Sequence, residues 1–286
     1  MEVLRLVFSL AWEMSKSFRD HEIPERAAQI SYFLLFAVFP FLVALLGMLA
    51  MFDLQEQVLL LTRLLEDSLP PNISDYLVDE VNRIAFAETS GRIIVGLAVA
   101  LWSSSRAIQS VISGVNAAWG TKEKRKMIVV RLLGTALTIG VMILSIVGLL
   151  VLSLGADAIN WIAGQGWISL DLAGTLHIIR WPIVLFAVHS VINVIYRVGA
   201  YTPLKRLAWS TYGSLFSTAA WVLITLGYRA YVENIADLGA TYGSLGVAIG
   251  LLIYFYALSV SVLVGAEIDA LNWRRRQGDS LFGVVV

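Results

Sequence analysis

The sequence predicts an all-α protein: a polytopic membrane helical bundle with six transmembrane helices, an amphipathic N-terminal helix and a helical outer hairpin. Three observations lead there. Apolar runs occupy residues 27–52, 93–112, 132–155, 176–196, 208–228 and 242–266, each bounded by charge. Runs of roughly 20 residues, at about 1.5 Å of rise each, cross a hydrocarbon layer of about 30 Å. The composition is skewed the same way: 58% of residues are hydrophobic and 15% charged, where soluble domains carry about 25%. The third observation is the placement of Lys and Arg, which alone orients a membrane protein.

Basic residues cluster in alternate connections. Arg5, Lys16, Arg19 and Arg26 precede the first run. Lys122, Lys124, Arg125, Lys126 and Arg131 follow the second, Arg197, Lys205 and Arg206 follow the fourth, and Arg274, Arg275 and Arg276 follow the sixth. The intervening loops are poor in bases: residues 53–91 hold Arg63 and Arg83 among many acids, and 156–175 hold none. Six spans with both termini cytoplasmic put every basic cluster on one side; an odd number of spans does not.

Taken in order, Val3, Val7, Leu10, Met14 and Phe18 recur at helical spacing opposite Glu2, Arg5, Ser9, Glu13 and Lys16. That is an amphipathic helix over residues 1–25, lying in the cytoplasmic interface or packed under the bundle. Span one carries Pro40, which removes a backbone donor, frees the carbonyl of Phe36 and predicts a kink. The first outer loop has two apolar stripes, Leu54 to Leu65 and Ile73 to Ile84, broken at Pro70 and Pro71. They form a helical hairpin over the outer mouth, a structural cap or a lid. Trp161 and Trp167 in the second outer loop read as interfacial anchors. Thr211-Tyr212-Gly213-Ser214-Leu215 recurs as Thr241-Tyr242-Gly243-Ser244-Leu245. Thr as a helix N-cap with small residues for close packing accounts for both copies; paired gates are the functional alternative. A weaker echo of Leu35–Val38 in Leu185–Val188 is too short to establish an inverted repeat. Gly246 and Gly250 give span six a small-xxx-small face.

These boundaries leave one integral-membrane domain over 1–286: the interfacial helix 1–25, the six-span bundle 27–270 and a cytoplasmic tail 271–286. The chain start does not read as a signal peptide, because its apolar run is short and charge follows it directly. Cysteine is absent, which removes disulfides, thiolate catalysis and Cys-ligated metals. A net charge of +0 with dispersed bases gives no nucleic-acid footprint. No HExxH, phosphate loop or acidic cluster at metal-ligand spacing appears. No catalytic residue, metal or cofactor is therefore expected, and the chain is not read as an enzyme.

Polar groups inside hydrocarbon are costly, so each is a functional candidate. Span one offers Gln29 and Tyr32 beside Pro40; span two, Arg106 and Gln109; span four, His189 and Asn193; span six, Glu267. Together they are expected to line an internal, substrate-binding cavity among spans one, two, four and six. Arg106 would contact an anion and pair with Glu267, or else snorkel to the interface. Glu267 would be its partner or a gate, and His189 with Asn193 the midplane contact.

Residues 27–33 (AAQISYF) through Phe39-Pro40, Leu101-Trp102-Ser103 with Ser105-Arg106, Asn116, Tyr242-Gly243-Ser244-Leu245 and Gly265-Ala266-Glu267 resemble the YihY/BrkB family of bacterial inner-membrane proteins. The resemblance runs in order from Arg26 to Asn272. It departs at Tyr254-Phe255-Tyr256, where many relatives have Trp, and in the short stretch after Arg276. It implies a six-span inner-membrane protein whose relatives are associated with serum resistance, envelope biology or transport, and once with a ribonuclease label that has no chemical support in these residues. The expectation is a transporter or flippase-like carrier of an anionic small molecule or lipid, with membrane lipids as partners and oligomeric state open. The alternative is a non-transporting envelope-assembly or scaffold protein, in which the same polar groups pair with one another.

Overall fold

A computed structural model describes residues 12–13, 15–51, 90–152, 159–160, 163–165, 167, 169–201, 210–234 and 245–276. The outer hairpin, residues 1–11 and 14 of the N-terminal amphipathic helix, Trp161, residues 241–244 of the second TYGSL copy and residues 277–286 lie outside them. The described residues are helical, with no strand among them. In chain order the helices are α1 (Ile23–Met51), α2 (Ser90–Ala118), α3 (Met127–Leu152), α4 (Leu170–Val194, continued by a π-helical turn, Ile195–Gly199), α5 (Tyr212–Asn234) and α6 (Leu245–Arg276). Each contains most of one predicted apolar run. Among the described residues, three stretches, Met127–Gly148, Gly174–Gly199 and Ala248–Arg275, are long and apolar enough to cross a membrane by length and composition.

Helix ends follow local chemistry. Ser169 caps α4, its hydroxyl accepting from the Leu172 N–H at 3.2 Å. Thr211 caps α5, its Oγ1 accepting from the Ser214 N–H at 3.1 Å, the N-cap role that its sequence context suggests. Pro40 sits inside α1, whose helical run passes it without interruption.

α6 is the central helix, packed against α5, α1 and α2. Its Leu263, Ala266 and Ala270 join Ile23, Ala27 and Ile30 of α1, Val115 and Ala118 of α2, and Ile195 and Tyr196 of the π turn in one buried core. This core lies toward one end of the bundle. α3 and α4 are peripheral, and large apolar side chains on their outer faces are bare: Ile139 and Ile143 on α3, Ile178, Trp181 and Phe186 on α4. An apolar outside of this extent is the surface of a helix bundle solvated by lipid.

Candidate functional site

The polar side chains gather at the basic end of the bundle, where α1 begins, α2 ends, α3 begins, α4 ends, α5 begins and α6 ends. Direct contacts tie these ends together. Arg275 donates to Glu13 at 2.5 Å, Arg274 reaches the Ala118 carbonyl at 3.4 Å, and the Trp273 ring packs at a tilt against Trp119, centroids 6.0 Å apart. The four basic clusters assigned to one side by charge alone thus meet at one end through described members.

Two carboxylates of α6 lie at the centre of this end. Glu267 and Asp269 are two residues apart, so they point to nearly opposite faces of the helix. Glu267 is 1% exposed. Its Oε1 accepts from His21 Nδ1 in the turn before α1, while its Oε2 is buried without a partner. The turn itself is tight: Glu22 adopts φ 52°, a left-handed conformation uncommon outside glycine. Asp269 faces the start of α5. It accepts from Thr211 Oγ1 at 2.6 Å and from the Gly213 N–H at 2.7 Å, so a negative charge closes the positive end of the α5 dipole.

Between them α5 and α6 approach backbone to backbone. A Cβ on Gly213 would run into the Gly265 carbonyl and come within 2.6 Å of the Asp269 carboxyl carbon; one on Gly265 would meet Ser217 Oγ and come within 2.7 Å of the Tyr196 hydroxyl. Tyr196, wholly buried, donates to the Val262 carbonyl and contacts Ser217 Oγ at 2.9 Å; Ser217 in turn donates to the Ser261 carbonyl at 2.9 Å.

A strap closes the loop between α2 and α3. Asn116, buried, donates to Glu123 at 3.1 Å and accepts the Tyr201 N–H at 2.6 Å. Arg125 holds Glu123 in a two-pronged pair at 2.7 and 2.6 Å, and its fork also reaches the Gly199 carbonyl at 2.6 Å, capping the end of the π turn. The Arg125 hydrogen bond holds the Glu123 carboxyl down at about 2, and the same contact raises the Arg125 guanidinium.

The side chain of Pro40 lies outside the described residues, and the other seven predicted site residues do not share one cavity. Gln29 and Tyr32 are exposed on α1, Tyr32 lying against Phe36 at 4.7 Å. His189 bridges to α5: its Nδ1 donates to Thr218 Oγ1 at 2.9 Å, because that hydroxyl donates its own proton to the Ser214 carbonyl, and its Nε2 accepts from Ser210 at 3.1 Å. Asn193, fully buried one turn on, donates to the His189 carbonyl at 2.9 Å, and its Oδ1 has no partner. The predicted Arg106–Glu267 pair is not made. Glu267 faces α1 and His21, whereas Arg106 is exposed, its guanidinium 5.6 Å from the ring centre of Trp102. Spacing along separate helices could not show which face of α6 turned toward α2.

Arg106 and Gln109 instead line an open groove of ≈ 350 Å³ between α2 and α3, with Trp102, Ser105, Arg131 and Thr135. A second space, of ≈ 190 Å³, lies among α1, α2, α3 and α6. Its walls include Leu34, Ala37, Phe41, Ala107, Val141 and Phe255, with Ser104 and Thr138 as the hydroxyls. Thr138 donates to the Gly134 carbonyl at 2.8 Å; Ser104 Oγ is buried with no partner. This space is therefore apolar, and span three lines it where span four was expected.

His21, Asp269, Tyr196 and the Gly213–Gly265 contact were not singled out from sequence. One signal was present: Gly213 with Ser217 and Ser261 with Gly265 are two small-xxx-small pairs, the spacing that lets helix backbones touch.

The family described as Virulence factor BrkB matches residues 14–281. The chain belongs to that family. Among similar proteins is YfkH of Bacillus subtilis, named as ribonuclease-like, 28% identical over 93% of this chain and 95% of the relative. A UPF0761 membrane protein of Laribacter hongkongensis is 26% identical over 89% of this chain and 60% of its own length. Another, from Vibrio vulnificus, is 23% identical over 87% and 79%. No solved structure matches the chain. The BrkB-family assignment and the apolar helices agree: this is a membrane protein.

Proposed function

We propose that this BrkB-family protein spans the bacterial cytoplasmic (inner) membrane six times, with both termini cytoplasmic, and acts as a flippase-like carrier of an anionic lipid. The observation that carries the reading is the apolar space among α1, α2, α3 and α6. Hydrocarbon fits such walls, whereas a soluble anion would lose its hydration there without replacement. Of the two cargo classes expected from sequence, a small anion or a lipid, the lining favours the lipid. The tied basic end supports cytoplasmic termini, since Lys and Arg accumulate on that side. Reporter fusions after Ala87, Gln165 and Arg276 should read outside, outside and inside; an external C-terminus overturns the topology.

The carrier itself is tested in proteoliposomes holding fluorescent phosphatidylglycerol, bleached from outside by dithionite. The wild type should expose inner-leaflet label faster than protein-free vesicles, and Ala107→Leu, which fills the cavity, should slow it. Equal rates with and without protein would sink the reading.

One observation favours a second reading, an envelope scaffold: Glu267, Asp269 and His189 all find partners within the bundle. A scaffold predicts no lipid transfer and no effect of cavity filling. Neither reading includes a hydrolytic step or a cofactor. Among the described residues no three His, Asp or Glu side chains come together as a metal group would require.

A further inference from the structure

We infer that the groove between α2 and α3 is a track for the phosphate of an anionic phospholipid, entered at Arg131 and leading inward to Arg106. As a binding site it stands without transport; as the loading path of a carrier it rests on the reading above.

The argument begins with the direction in which Arg106 points. A cytoplasmic snorkel would carry its guanidinium toward the basic end, past Gln109. Instead it lies over Trp102, four residues toward the opposite end of the helix, at 5.6 Å from the ring centre. This is the direction in which helical side chains lean. α2 runs from Ser90 to Ala118, so Trp102 stands roughly 18 Å from its first residue and Arg106 roughly 18 Å from its last. The charge therefore sits near the middle of the helix, on a flank that is exposed. No described carboxylate forms an ion pair with Arg106 or Arg131. A guanidinium held at that depth on an outer face needs an anion from outside the protein.

The groove is shaped to admit one. Gly134 brings α3 close against α2: a Cβ there would lie 3.2 Å from the Ser105 carbonyl and 3.1 Å from Gln109 Cγ. That contact makes a floor, with Arg131 one turn nearer the start of α3 and Thr135 one residue deeper. Arg131 is the fifth residue of α3, roughly 6 Å in from its basic end, which places it at the rim. A phosphate diester thus meets Arg131 first and Arg106 further in, with the amide of Gln109 between them. Planar guanidinium forks bind phosphate oxygens two at a time, and the indole of Trp102 backs the inner fork. A free phosphate offers the same oxygens, but the groove opens on the flank of the bundle, beside lipid, and the lipid headgroup is the source assigned.

The absence of native cysteine supplies a direct test. The Gln109→Cys variant is reconstituted in phosphatidylcholine vesicles with and without phosphatidylglycerol, and the rate at which its single thiol reacts with a water-soluble maleimide is measured. That thiol should react in phosphatidylcholine alone. Phosphatidylglycerol should slow it, with protection falling about fivefold for each arginine replaced in Arg106→Gln and Arg131→Gln. Arg106→Lys and Arg131→Lys, which keep the charge and so guard against loss of fold, should retain part of the protection.

An unreactive thiol at position 109 in phosphatidylcholine, or equal protection in the double Gln variant, overturns the assignment. So does protection by soluble glycerol 3-phosphate in phosphatidylcholine without protection by phosphatidylglycerol, because the site would then take a free phosphate. The two readings fail separately. Protection without lipid transfer removes the carrier and leaves the site. Transfer that is unchanged in the double Gln variant removes the groove as the loading path and leaves the carrier.

Discussion

The α5–α6 seam and the α2–α3 flank treat polar side chains in opposite ways. In the seam Asp269 is satisfied by Thr211 and Gly213, Ser217 by a backbone carbonyl, and the helices touch through Gly213 and Gly265. On the flank Arg106 and Arg131 face an open groove, and no described carboxylate pairs with either. A buried polar group must find a partner inside the protein or bear the cost of lost hydration. One on the outer face can take its partner from the surroundings. The seam therefore reads as architecture and the flank as a place where something binds. Glu267 lies between these extremes, with one oxygen on His21 and one bare.

Breaking the seam should cost most. Gly265→Ala puts a methyl where Ser217, the Gly213 carbonyl and Tyr196 already stand, and overpacking of this kind costs about 3 kcal/mol or more. Thermal unfolding in detergent should show a large drop. Gly140→Ala, with nothing within 4 Å of the added Cβ, should fall within about 0.5 kcal/mol of wild type. Equal stability of the two variants would mean that the helices are not in contact at Gly265.

Next in size is the Glu267–His21 contact. Glu267→Ala strands the His21 donor and should destabilise by about 2 kcal/mol. With His21→Ala a double-mutant cycle should give a coupling of about 1–2 kcal/mol. A coupling near zero would show that the N-terminal turn is not held through this pair.

The Glu123–Arg125 strap is smaller, because it is partly exposed. The hydrogen bond from Arg125 lowers the Glu123 carboxyl from its ordinary 4.5 to about 2. A depressed carboxyl contributes stability above its ordinary value and loses it as the pH falls toward the folded one. Wild type should therefore exceed Glu123→Gln by about 1 kcal/mol near neutral pH, and the margin should vanish between pH 4.5 and about 2. A margin that persists at the acid end would assign it to something other than charge.

The smallest effect on stability is expected on the flank. Arg106→Gln should leave unfolding within about 0.5 kcal/mol of wild type, even where it abolishes lipid protection of the groove. A large loss of stability there would make Arg106 part of the architecture and erase the contrast.

Much of the bundle was legible in the chain. Each of the six helices covers most of an apolar run, because burial of a backbone in lipid leaves helix as the way to satisfy its own donors and acceptors. The single basic end was legible too, since the clusters follow alternate runs, and Thr211 as a cap follows from local chemistry. The site was read less well. Apart from Pro40, chosen for its kink, the candidates were chosen for the cost of a polar group in lipid, and that criterion cannot tell a paired group from an open one. Asn193 and Glu267 turned inward, while Gln29 and Tyr32 turned out. His21 drew no attention because it precedes the first span, and Gly265 was noted only as part of a motif.

The sequence by itself determined the solvent, the helices and the end of the bundle that gathers positive charge. These depend on hydropathy and on spacing along one helix, which are properties of short segments. Only the tertiary structure decided which carboxylate meets which donor, that α3 and not α4 lines the apolar space, and that Arg106 faces out beside Trp102. Those facts depend on how each helix is rotated about its axis. That rotation is set by close contacts such as Gly213 on Gly265 and α3 on α2 at Gly134, made between residues far apart in the chain.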